Sequence, residues 1–165
     1  MGWSPVLMMM KGASPSSAGL ITSIALWSYI PAYLLMPRLS YKLGVRKPFL
    51  WIPSVVLTIA AWGATQVSVT ASWFLMALVG IANGTRFITL LALPVEMMDQ
   101  KEVGTASGIV ISIGFAGGVI GPLIGGNILD NTQSLDLSFM VLMGVSLVTA
   151  FLVSRLPETG PRRRT

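Results

Sequence analysis

Cysteine and histidine are both absent from this chain of 165 residues. Without cysteine there is no disulfide framework and no thiolate chemistry. Without histidine the commonest general base and metal ligand is gone. Acid is scarce: six aspartates and glutamates stand against eleven lysines and arginines. Charged residues make up only 10% of the chain, where a soluble domain carries about 25%. None of the six acids falls inside an apolar run. The composition therefore argues against an enzyme, and it predicts no cofactor and no metal site.

What the chain has instead is apolar length. It is 53% hydrophobic, with a mean hydropathy of +0.76. A bilayer crossing needs about twenty apolar residues. Five runs approach or exceed that length: Ala18–Met36 with Pro31 as a kink, Pro48–Gln66, Trp73–Leu93, Gly104–Asp130 and Leu137–Val153. The expected fold is all-α, a multi-pass transmembrane bundle of about five spans, with the lipid bilayer as partner. Met1–Met10 is too short to cross and reads as the end of a helix whose start lies elsewhere. It lacks a basic leader, so it is not a cleavable signal.

A net charge of +5 raises the question of nucleic acid. Placement answers it, because the cations sit at the ends of apolar runs. Arg38, Lys42, Arg46 and Lys47 share one loop with no acid, and Arg155, Arg162, Arg163 and Arg164 close the chain. The Val67–Ser72 connector and the Asp130–Asp136 loop hold no lysine or arginine. The positive-inside rule then puts the basic loop and the C-terminus in the cytoplasm and the N-terminus outside. No nucleic-acid partner is expected.

Gly104–Asp130 is dense in glycine. In water each would cost up to about 1 kcal/mol relative to alanine, but in lipid the backbone must bond to itself and helix is nearly compulsory. Gly114, Gly118, Gly121 and Gly125 then share a face without side chains, fit for close helix packing. Pro122 removes one donor and provides a hinge.

Two stretches together resemble the major facilitator superfamily. In the basic loop, Leu39, Lys42, Gly44 and Arg46 match a cytoplasmic loop motif of that family. Pro37, Tyr41 and Val45 depart from it. In the glycine-rich stretch, Gly117, Gly121, Pro122, Gly125 and Gly126 match its G-x-x-x-G-P-x-x-G-G element. The order of the other segments is similar to helices eight to twelve, preceded by a stub of helix seven. The resemblance implies that residues 1–165 are a C-terminal half-bundle, with 156–165 as a cytoplasmic basic tail. It implies a bacterial inner membrane or an equivalent. It also implies secondary transport of a small solute by alternating access, with the chain inactive until an N-terminal half faces it. Two other readings stay open: a non-transporting helical scaffold, and the N-terminal half of a drug/proton antiporter.

Arg86 is the one charge well inside a span. Such residues usually face the protein interior and serve a function. Asn83 and Thr89, three residues to either side, give it polar company. The candidate substrate-binding set is Arg86, Asn83 and Thr89, with Tyr29 and Tyr33 four residues apart on the first span. Ser107, Ser112 and Phe115 are weaker candidates. Arg86 favours an anionic or acceptor-rich solute. For gating, Lys42 and Arg46 beside Gly44 are expected to meet Glu96 or Asp99. Gly117, Gly121, Pro122 and Gly125 are expected to form the moving helix. With no acid inside a span, any proton-coupling carboxylate is expected in the facing half. Leu156–Gly160 reads LPETG, a sortase pattern, but the apolar span precedes it where sorting needs one to follow.

Overall fold

The computed structural model describes residues 3–133 and 135–160. Met1, where the first apolar stretch begins, and Arg162, Arg163 and Arg164 of the basic tail lie outside the described residues. Seven helices follow in order: α1 (Ser4–Met10), α2 (Pro15–Trp27), α3 (Tyr29–Leu43), α4 (Lys47–Gln66), α5 (Val69–Met97), α6 (Val103–Thr132) and α7 (Leu135–Arg155). Joined across Ser28, α2 and α3 make one 29-residue crossing. With α4 to α7 they give five helices long and apolar enough to span a membrane. The all-α multi-pass expectation is met.

Local chemistry sets the boundaries. Ser14 caps α2 by accepting the Ser17 amide, and Ser68 caps α5 by accepting that of Ala71. Gly44 ends α3 at φ +68°, a left-handed conformation suited to glycine. Pro31 has no N–H for the Trp27 carbonyl four residues back. The helix duly breaks at Ser28, between that carbonyl and the proline. At the end of α4, Lys11 Nζ donates to the Ala64 and Val67 carbonyls, each at 2.6 Å. A cation there complements the negative helix terminus. Burial pulls the Lys11 pKa below its usual value, against the opposing pull of Asp136.

Helix α5 is the hub, packed against α2, α3, α4 and α6, while α4 lies along α7. The closest approach is made by Gly80 and Gly84. A Cβ on Gly80 would strike the Ala25 carbonyl and come within 2.7 Å of the Ser28 Cβ. On Gly84 it would meet the Ala32 Cβ at 2.9 Å. This Gly-x-x-x-Gly pair seats α5 against the α2–α3 break, the use small residues have in membranes. The main core gathers Met8, Ile21, Ala25, Ala64, Met76 and Phe139. Trp27, Phe74 and Ile113 are exposed, as suits side chains solvated by lipid.

Within this chain the bare face of the glycine-rich helix is not closely packed. A Cβ on Gly114, Gly117, Gly118 or Gly121 would meet no atom within 4 Å. Among the described residues only Gly125 and Gly126 of this helix are covered, and by a side chain rather than a helix. The Trp3 indole lies within 3.0 Å of where either Cβ would be, and its N–H donates to the Pro122 carbonyl at 3.0 Å.

Candidate functional site

A cavity of about 400 Å³ opens between α3, α5 and α6. Tyr29 and Tyr33 of α3, Asn83, Arg86 and Phe87 of α5, and Phe115 of α6 line it. Four of the five candidate binding residues are thus brought together. Tyr29 and Tyr33 stack at 5.8 Å between ring centroids, and Phe87 continues the series 6.4 Å from Tyr33. Gly84 makes this possible, because Tyr29 Cα sits 3.4 Å from the place its Cβ would take. Arg86 is half-buried at the cavity wall. Among the described residues no carboxylate forms an ion pair with it. The walls are aromatic and apolar around one guanidinium, so they offer rings to a flat solute and a fork of N–H donors to an acceptor group.

Thr89 stands apart. It is buried, and its hydroxyl donates to the Thr85 carbonyl at 2.7 Å. It lines a different cavity, beside Ile88 and Ala92. Ser107 and Ser112 do not line the Arg86 cavity, whereas Phe115, Ile111 and Gly114 do.

At the basic end of the bundle, Arg46 and Glu96 form an ion pair at 2.6 Å. Both side chains are mostly buried, at 13% and 18% exposure. Arg46 Nε donates to Glu96 at 2.8 Å, and a second arm donates to the Ser40 hydroxyl at 2.8 Å. Ser40 in turn donates to the Val45 carbonyl. Lys42 and Asp99, the other expected partners, are exposed and outside this pair.

The LPETG segment completes the cluster, a role its sequence did not suggest. The Thr159 hydroxyl donates to the second Glu96 oxygen at 3.1 Å. Glu158 accepts the Arg46 amide at 2.6 Å, the Lys47 amide at 3.2 Å and the Gly160 amide at 3.0 Å. A carboxylate on the first turn of α4 answers the positive helix terminus. Burial pushes the Glu158 pKa up, but the amides of Arg46, Gly160, Lys47 and Thr159 outweigh it and hold the carboxyl below its usual range. Gly160 lies so close to Gly44 and Val45 that a Cβ would collide with their backbone.

Five apolar crossings, one of them a hub helix, define an all-α multi-pass membrane protein. The chain belongs to the Major Facilitator Superfamily, whose family model matches residues 2–165. It forms a single half-bundle of about five spans. The chain is 28% identical over 166 residues to the methyl viologen resistance protein SmvA of two Salmonella typhimurium strains. That match covers 97% of this chain and 32% of the relative. It is 23% identical over 152 residues to the uncharacterized transporter YycB of Bacillus subtilis, covering 88% of this chain and 37% of the relative. The chain thus spans about a third of the length of these curated relatives. No solved structure is a significant match.

Proposed function

We propose that this chain is the C-terminal half-bundle of a secondary transporter of the inner membrane. Residues 156–165 form its cytoplasmic tail, and it moves a small solute by alternating access once a facing half-bundle completes the cavity. The observation that carries this reading is the cavity uniting Tyr29, Tyr33, Asn83 and Arg86. An arginine without a carboxylate partner among the described residues, held inside a membrane span, is costly unless it serves a ligand or a facing group. The solute presents acceptor or anionic groups to Arg86 and Asn83, and a flat apolar part to the three rings. The Arg46–Glu96 pair, buttressed by Glu158 and Thr159, closes the cytoplasmic end and opens in each cycle.

A second reading of the solute is favoured by the likeness to a protein named for methyl viologen resistance. Methyl viologen is a flat aromatic dication, which the Tyr29–Tyr33–Phe87 series suits by cation–π attraction. In that case Arg86 answers a carboxylate of the facing half. The deciding experiment is uptake and efflux by the complete transporter in proteoliposomes, comparing Arg86→Ala with the parent on aromatic anions and on methyl viologen. Lost anion transport supports the first solute. Lost methyl viologen transport with anions never carried supports the second. Full activity of the variant on every solute refutes the cavity assignment.

A further inference from the structure

Two apolar grooves flank the first turns of α4. The first, about 320 Å³, lies between α3, α4 and α5, with Met36, Leu39, Phe49, Leu78 and Ala82 among its walls. The second, shallower and about 610 Å³, lies between α4 and α7 and is lined by Trp51, Ser154 and Glu158, whose carboxylate is turned to the amides of α4. Pro48 and Ile52 line both. One turn apart on α4, they form a ridge with a groove on each side. Lys47, which opens α4, lines the second groove beside that ridge.

Positive charge is in excess at the same end. Lys42 is exposed on the last turn of α3, and Arg38, one turn earlier, shares its face. No acid occurs from Pro37 to Lys47. Of the acids at this end, Glu96 holds Arg46 and Thr159 and Glu158 holds backbone amides of α4, while Asp99 and Glu102 are exposed and form no ion pair among the described residues. Among the described residues Lys42, Lys47 and Arg38 form no ion pair.

We propose that this corner binds one anionic phospholipid. Its phosphate and headgroup lie between Lys42 and Lys47, and its two acyl chains straddle the Pro48–Ile52 ridge. Charge complementarity selects the headgroup, and the paired grooves select a two-chain lipid over a free anion. A zwitterionic lipid fills the grooves but meets the lysines with no net charge. The bound lipid would lie beside the Arg46–Glu96 pair and brace the turn that carries it.

The test is native mass spectrometry of the full chain released from micelles, with phosphatidylglycerol against phosphatidylcholine of the same acyl chains. The parent should retain phosphatidylglycerol preferentially. Lys42→Gln with Lys47→Gln should lower that retention on the order of fivefold per lysine and leave phosphatidylcholine unchanged. Lys101→Gln, an exposed cation elsewhere, should change nothing. Ile52→Trp, which fills both grooves at an exposed position, should lower retention of both lipids, with helicity checked by circular dichroism. The proposal is overturned by equal retention of the two lipids in the parent. It is also overturned by undiminished phosphatidylglycerol in the double variant, by unchanged retention in Ile52→Trp, or by displacement of the lipid with free glycerophosphoglycerol.

Discussion

Arg46 and Glu96, fifty positions apart in the sequence, meet at 2.6 Å and fasten the α3–α4 turn to the end of α5. Both groups are largely withdrawn from water, so their coupling should exceed that of a surface pair. A double-mutant cycle with Arg46→Ala and Glu96→Gln, read by denaturant unfolding in micelles, should return a coupling energy of about 1–3 kcal/mol. Arg46→Lys should not restore it. A lysine cannot reach Glu96 and Ser40 together in the forked geometry that the guanidinium supplies.

Two sets of glycines should behave in opposite ways. Gly80→Ala must push against the Ala25 carbonyl and the Ser28 side chain, and overpacking of this kind costs about 1–3 kcal/mol. Gly118→Ala meets open space, so helix propensity should dominate and stabilise the isolated chain by up to about 1 kcal/mol. Thermal unfolding of the two variants side by side checks the contrast. If Gly118→Ala also blocks transport in the complete protein, that face serves a facing helix rather than this half-bundle.

Glu158 links stability to pH. Its folded-state pKa lies below the ordinary 4.5 because backbone amides favour the carboxylate. The stability it contributes is therefore full above that ordinary value and is lost as the pH falls through the depressed one. Melting temperatures followed from pH 7 to pH 3 should decline at the acid end, and Glu158→Gln should flatten part of that decline. Identical acid slopes in the two proteins would remove Glu158 from the account.

Arg86 and Thr89 should separate binding from folding. Arg86→Ala should raise the solute KM or abolish uptake in the complete transporter. Thr89→Val keeps shape but loses the bond to the Thr85 carbonyl, so it should cost stability by about 1 kcal/mol and leave KM unchanged. A KM effect at Thr89 as large as that at Arg86 would mean that both line the solute's path.

Much of the architecture could be read from composition, because the membrane forces apolar runs into helices and cations to their ends. The Arg86 cavity was largely legible for the same reason: one charge in a span advertises itself. Thr89 was not. Steps of three residues advance about 300° around a helix, so Asn83 and Thr89 flank Arg86 some 120° apart. One flank faces the cavity and the other the core, and spacing alone does not say which. Gly80 and Gly84 carried a readable Gly-x-x-x-Gly signal, masked by the denser glycines of α6. The glycine-rich face looked ready for packing, yet what covers it depends on neighbours that a single sequence does not name. Glu96 could not be told from Asp99 as the partner of Arg46, since three residues decide which acid turns inward. The docking of LPETG rests on contacts with the α3–α4 turn, 112 positions away, which no local pattern encodes.

The near-collision of Gly160 with the Gly44–Val45 backbone has a practical corollary for labelling. A fluorophore joined just past Gly160 would begin within a few ångströms of the α3–α4 turn. If Arg46 releases Glu96, the segment that carries Thr159 and Gly160 loses its anchor, and the dye's surroundings should change from packed protein to water. A reporter at that position would therefore register any parting of Arg46 from Glu96.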